Sequence, residues 1–242
     1  MSPGYFVFKV NPLVSMSVGV GLATGLYGIS FGALSTAAGL DVWQTQVLSL
    51  LMFSGGSQFA FIGVIAAGGP AAVGAAVVSA WLLGVRNGFY AVRMNPILSA
   101  IGFKRLVAAQ LTIDESTAVA TAQDLEGDQR RGFWLTGAAV FLFWNSMTLI
   151  GALLGNALGD PKAWGLDAAA AAAFLALLWP RLKERQALAV GALAFLIAVI
   201  TTPSLPAGVP IILAGGVAVI VGGFNIFEAK SKSAGGPRNE DN

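Results

Sequence analysis

Four stretches of this chain carry no charged residue: 10–40, 42–85, 132–159 and 186–227. About 20 apolar residues cross the hydrocarbon core of a bilayer as one helix. The second and fourth stretches are therefore each long enough for two crossings. Charged residues make up only 11% of the chain and hydrophobic ones 56%, where a soluble domain carries roughly a quarter charged. Too few polar side chains remain to clothe a water-facing surface, so much of the exterior must face lipid. The expected fold is an all-α integral membrane protein with about seven transmembrane helices plus one re-entrant or interfacial segment. Residues 1–228 form a single transmembrane domain in this reading, and 229–242 a disordered cytoplasmic tail.

Composition also removes whole classes of chemistry. The chain has neither Cys nor His. Disulfides, thiolate or imidazole metal sites, and Ser-His or Cys-His nucleophiles are excluded. No metal and no cofactor is expected. A net charge of +2 gives no argument for nucleic acid. Lys9 precedes an apolar run too long for a signal-peptide core, which reads as a retained first span.

Gly, Pro and charge clusters divide the chain into spans at about 13–38, 44–67, 71–92, 132–156, 165–180, 187–203 and 207–227. Segment 107–123 decides the topology, because it holds Asp114 and Glu115 near its middle. A lone spanning helix would pay about 2.5–3.5 kcal/mol for each such charge. Most Lys and Arg fall in four groups: Arg93, Lys104 and Arg105; Arg130 and Arg131; Arg181, Lys183 and Arg185; Lys230, Lys232 and Arg238. If 107–123 dips in and returns, or lies in the interface, all four groups share one side, as the positive-inside rule prefers. The expectation is a cytoplasmic C-terminus and an N-terminus outside, with Lys9 as the one basic residue against it. Residues 28–58 and 149–180 share glycines four apart (Gly28 and Gly32; Gly151 and Gly155) and a later breaker. That pattern suggests an inverted repeat whose two units enter from opposite faces.

Several constellations could carry chemistry. Ser54-Gly55-Gly56-Ser57-Gln58 interrupts the second span, and freed backbone groups in lipid must meet protein or a wet cavity. Either this is a broken helix at a binding site, with Ser57 and Gln58 orienting a solute, or small residues pack closely there. Arg86-Asn87, with Tyr90 one turn on, lies near the end of the third span. Arg86 either snorkels to the surface, binds a substrate carboxylate or neutralises an acid. Asp114 and Glu115 are candidate proton carriers if held at depth. Alternatively, Thr112-x-x-Glu115 is a capping box at a helix start near the surface. Trp144 and Asn145 sit midway along the span at 132–156, where Asn145 either bonds across helices or lines the pathway.

These residues, in this order and spacing, resemble the AzlC family, the larger subunit of branched-chain amino acid exporters. The resemblance runs from about residue 13 to 220. It rests on the glycine-rich first span, on Ser54 to Phe59, Arg86 to Tyr90 and Leu111 to Glu115, and on Trp144 before Gly151 and Gly155. It implies multi-pass insertion in the plasma or inner membrane and efflux of leucine, isoleucine, valine or methionine, with protons as the coupled ion. It also implies a small AzlD-like membrane subunit as partner. Two departures stand out: Gly84 where the family usually has Asn, and Asn87 where it often has His. Asn87 cannot titrate, so any proton relay falls to Asp114 or Glu115. No Walker-type Gly-Lys-Ser/Thr occurs, so ATP is not the direct driver. An intramembrane enzyme would have only two adjacent acids, pointing about 100° apart on a helix, so no enzyme is expected. A non-transporting scaffold or a carrier of another small solute is the remaining alternative.

Overall fold

The computed structural model of the chain describes residues 11–158, 175, 179, 181–183, 185–206 and 208–223. Among the described residues every regular element is helical. They are α1 (Pro12–Ala37), α2 (Val42–Leu51), α3 (Gly55–Gly68), α4 (Val73–Leu98), α5 (Gly102–Gln110), α6 (Asp114–Thr121), α7 (Glu126–Leu158), α8 (Arg185–Thr201) and α9 (Val209–Gly223). Three stretches are long and apolar enough to cross a membrane: Pro12–Ala37, Gly55–Leu98 and Glu126–Ala157. The all-α membrane fold is thus what the chain forms. The expected span at 165–180 (apart from two single positions) and the tail at 229–242 lie outside the described residues.

The frame is the pair α1 and α7, the most extensive helix contact among the described residues. Glycines let the two backbones touch. A Cβ on Gly21 would meet Ala139, one on Gly25 would meet Phe143, and one on Gly32 would strike Thr148 O and Ala152 N. From the other side, a Cβ on Gly151 would strike Ile29 O and one on Gly155 would crowd Ala33 and Thr36. Partner numbers rise together along both helices, so α1 and α7 run parallel. Ser17 and Thr136 hydrogen-bond between them at 2.9 Å, both fully buried. The two glycine pairs expected to mark oppositely directed repeat units are therefore the two halves of one parallel contact. The pattern of small residues four apart is the same in either case; only the contact tells them apart.

The second expected span, 44–67, does not cross. Asp41 caps α2 in a reciprocal box with Gln44 (2.8 and 3.0 Å), and α2 descends alongside α7. The chain breaks at Met52 to Ser54, and α3 then turns back. Gln58 Nε2 donates to Ser49 O at 3.3 Å, a contact that a helix continuing onward would place out of reach. Near the end of α3, Val64 and Ile65 pack in one cluster with Ala38 and Leu40, where α1 ends. At about 1.5 Å per residue, α2 is about 15 Å long and α3 about 21 Å, each short of the roughly 30 Å core. Gly69, at φ +60°, makes the tight turn into a 3-10 segment, Gly69–Ala72, that leads to α4. Gly55–Leu98 is thus one long stretch, apolar over most of its length, that folds as an antiparallel pair, with Gly84 beside Ser57 and Gly56 beside Arg86.

Helices α5 and α6 repeat the device from the other end. Arg130, at the start of α7, donates to Ile97 O near the end of α4 at 2.7 Å. Gly132 lies beside both Leu13 and Val119, and Gly137 beside Leu111. So α5 enters where α4 ends, the chain turns at Leu111 to Ile113 at the depth of Gly137, and α6 returns to where α7 begins. Segment 107–123 therefore dips in and returns, the arrangement the charge distribution favoured. A span followed by a re-entrant hairpin occurs twice in opposite directions, as α1 with α2–α3 and α4 with α5–α6. This inverted pair covers 12–121, and differs from the repeat expected from the glycines.

These contacts put the start of α1, the end of α4 and the start of α7 on one face, together with Lys104, Arg105, Arg130 and Arg131. Gly208 packs on Ala75 and Gly215 lies near Leu82, so α9 runs parallel to α4. Its antiparallel neighbour α8 then starts beside Lys183 and Arg185 on the same basic face. The expectation that the N-terminal end of the first span lies opposite the basic loops is overturned. That expectation counted 44–67 as a crossing; once it folds back, α1 must start on the basic face.

Candidate functional site

The two re-entrant turns meet at mid-depth. Gln110 Nε2, at the end of α5, donates to Leu50 O (2.7 Å) and Leu51 O (3.4 Å), the last carbonyls of α2. Phe53 stacks edge-on against Phe141 with centroids 5.0 Å apart. Between the turns, closed by α1, α4 and α7, is a cavity of about 330 Å³, at the lower end of the range for small-molecule sites.

Its polar wall is compact. Arg86 Nη1 on α4 pairs with Asp114 Oδ2 at 2.8 Å. Arg86 Nε, Asn87 Oδ1, Asp114 Oδ1 and Trp144 Nε1 are enclosed and make no hydrogen bond among the described residues. Glu115, next along α6, is enclosed near the Thr24 hydroxyl of α1, with Asp114 and Arg86 close by. Both acids occupy the first turn of α6, where the helix dipole favours negative charge. At α3, the first intrahelical donor is Gln58 N, bonded to Ser54 O at 3.0 Å. The N–H groups of Gly55 and Gly56 precede it and have no acceptor within the helix. Here no acid blocks the helix start. Both glycines lie close to side chains of the cavity wall: a Cβ on Gly55 would come within 3.1 Å of the tip of the Trp144 ring, and one on Gly56 within 3.0 Å of Arg86 Nη2, the movable end of its side chain.

The remaining wall is apolar: Phe53, Phe59, Leu83, Ile113 and Val140, with Tyr27 from α1. Trp144 is locked by stacking on Phe31 (6.1 Å) and by an edge contact with Phe59 (6.3 Å). A second cavity of about 480 Å³ lies across the Phe53–Ser54 turn, sharing those two residues and Asn87 with the first.

Of the residues singled out from the sequence, Ser54, Gly55, Gly56, Arg86, Asn87, Asp114, Glu115 and Trp144 line the first cavity. The others do not. Ser57 faces the second cavity and sits 3.2 Å from the Ser54 hydroxyl. Gln58 is fully buried and ties α3 to α2. Asn145 Nδ2 caps Phe141 O at 2.8 Å, and its own carbonyl accepts from Gln46. Tyr90 lies outside the cavity wall. The box expected of Thr112 and Glu115 is not made. Thr112 donates back to Ala108 O at 2.7 Å, and Ser116 Oγ accepts from Ile113 N at 3.1 Å. The helix starts two residues beyond Thr112, which closes α5 instead. Arg86 does not snorkel; it neutralises an acid within the bundle. Thr24 and Tyr27 were missed. They stand three apart on one face of α1, the only hint that face carries.

The profile of the family described as AzlC protein matches residues 19–158, more than half of the chain and every residue of the cavity wall. No curated protein and no solved structure matches the chain.

Proposed function

The chain belongs to the AzlC family, and from that premise we propose that it is the larger subunit of a secondary transporter exporting branched-chain amino acids. The family is associated with branched-chain amino acid transport and with a partner subunit. In this proposal the cargo is leucine, isoleucine or valine, with methionine as a further substrate. Protons moving inward drive export, and the partner is a small AzlD-like membrane protein. The basic face is cytoplasmic.

One observation carries the reading: a cavity at mid-depth, built where two broken helices meet and holding an ion pair. Irregular backbone and ionisable groups at that depth are tolerated only against protein or a wet path, and mark solute routes. Phe53, Leu83, Ile113 and Val140 suit a branched aliphatic side chain, and Arg86 suits a carboxylate. Asp114 and Glu115 are the titratable acids of the wall and serve as proton carriers. One charge crossing 100 mV is worth about 2.3 kcal/mol, roughly a 50-fold gradient, so a single coupled proton supports useful export.

The test is efflux of leucine from cells loaded with a leucine dipeptide and expressing the chain with its partner. Export faster than in cells lacking the chain, abolished by R86Q, is expected. Unchanged pH-dependent efflux in D114N and E115Q variants would sink the relay, and unchanged efflux in R86Q the site.

A further inference from the structure

Helix α5 takes part in none of the extensive helix contacts among the described residues. On its side toward α4 lies a groove of about 330 Å³ that shares no lining residue with the candidate site. Ala91, Asn95 and Leu98, on one stripe of α4, form one wall, and Arg105, Ala108 and Ala109 of α5 the other. Alanines on both walls leave open a space that larger side chains would fill. From Leu98, near the basic face, to Ala91 the α4 wall descends about 10 Å. With nine residues, α5 is about 14 Å long, roughly half of the 30 Å core. The groove therefore lies within one leaflet, on the basic side. At its deep end Thr112 spends its hydroxyl on Ala108 O at 2.7 Å.

The mouth differs in character. Arg105 is exposed there and makes no ion pair among the described residues. Other basic side chains of this face are engaged: Lys104 lies over the Trp134 ring at 5.5 Å, and Arg130 pairs with Glu126 at 3.5 Å. Ile101, Phe103 and Leu106, beside Arg105 in sequence, are exposed apolar residues, as on a helix that meets lipid. A snorkelling Arg needs no groove beneath it. A groove one leaflet deep, apolar below and cationic at its mouth, matches an anionic phospholipid in both length and charge.

We propose that this groove holds an anionic phospholipid of the basic-face leaflet, with an acyl chain between α4 and α5 and its phosphate at Arg105. Helix α5 ends in Gln110, which bonds the last carbonyls of α2, so a lipid bracing α5 also steadies the junction of the two re-entrant turns.

The experiment is native mass spectrometry of the full chain, titrated with phosphatidylglycerol and with phosphatidylcholine of the same acyl chains. Phosphatidylglycerol is expected to bind about fivefold more tightly, the effect of one basic residue near an anionic headgroup. R105Q is expected to bring the two lipids level, and R105K to keep the preference. Arg93 supplies the control: it is exposed near the same face but lies about 160–200° round α4 from Asn95 and Ala91, so R93Q should leave the preference intact. A91L, which narrows the groove and keeps Arg105, is expected to weaken phosphatidylglycerol about fivefold or more. Equal binding of the two lipids, a preference that survives R105Q, an equal loss in R93Q, or unchanged binding in A91L would each overturn the proposal. None of these outcomes touches the export reading, which concerns a separate cavity.

Discussion

Replacing Gly32 with alanine should loosen the frame that holds the cavity. The added Cβ would strike Thr148 O, lie 2.5 Å from Ala152 N and 2.9 Å from Gly151 C. All three are backbone atoms, so no side chain can rotate away and α1 must back off from α7 by about 1 Å. A gap of that size forfeits a quarter to a half of each contact's attraction, and overpacking of this kind costs about 1–3 kcal/mol. Alanine's better helix propensity returns roughly 0.8–1 kcal/mol, leaving a net loss of about 0–2 kcal/mol, and a difference of about 1–3 kcal/mol from a glycine replaced in open space. Gly19 is the internal control, because a Cβ there meets nothing within 4 Å; Gly19→Ala should be neutral or slightly stabilising. Thermal unfolding of the purified chain in detergent, followed by fluorescence of its six tryptophans, reads the difference. G32A combined with G151A should cost less than the two separately, since one separation relieves both clashes. A Gly32→Ala midpoint at or above that of Gly19→Ala would refute the close parallel packing of α1 and α7.

Three further outcomes follow from named contacts. Asp114→Asn removes the carboxylate paired with Arg86 and leaves Glu115 as the acid beside the guanidinium; it should cost about 1–3 kcal/mol, below the roughly 3–5 kcal/mol of a fully buried pair because both side chains are about a third exposed. The double variant R86Q/D114N should recover most of that stability in the same unfolding assay, while leucine efflux stays lost. Gln58→Leu and Gln110→Leu uncap Ser49 O and Leu50 O at mid-depth, and each should lower the unfolding midpoint by the equivalent of about 1–3 kcal/mol. Thr136→Val removes the buried hydroxyl that meets Ser17 and should cost about 0.5–1.5 kcal/mol, with efflux retained.

The sequence exposed the helices better than their directions. Charge-free runs marked α1, α4, α7, α8 and α9, and the basic loops kept 107–123 from counting as a crossing, leaving open whether it is re-entrant or interfacial. The stretch 44–67 failed because its total length suffices to cross. Ser54-Gly55-Gly56-Ser57 marked the break, but a break does not say whether the second half continues or returns. The deciding contact, Gln58 to Ser49, is a side-chain bond that no hydropathy pattern encodes. Most of the site was legible because glycines, an Arg and two acids are costly in hydrocarbon and therefore conspicuous. Gln58 and Asn145 looked equally conspicuous, yet serve the backbone, since a polar side chain at depth can satisfy a carbonyl as well as a solute. Tyr27 and Thr24 were hidden by the opposite effect, being ordinary residues in a helix that is apolar all round.

The account stands on two hairpins that enter and leave the membrane on the same face. The chain lacks cysteine, so single cysteines can be placed at the exposed positions Asp41 and Ala71, which flank the first hairpin, and Ile101 and Leu125, which flank the second. Labelling with a membrane-impermeant maleimide in intact cells and in inverted vesicles should show D41C and A71C reactive only from outside, and I101C and L125C only from inside. D41C and A71C reacting from opposite sides would make 44–67 a crossing and contradict the fold on which the cavity depends.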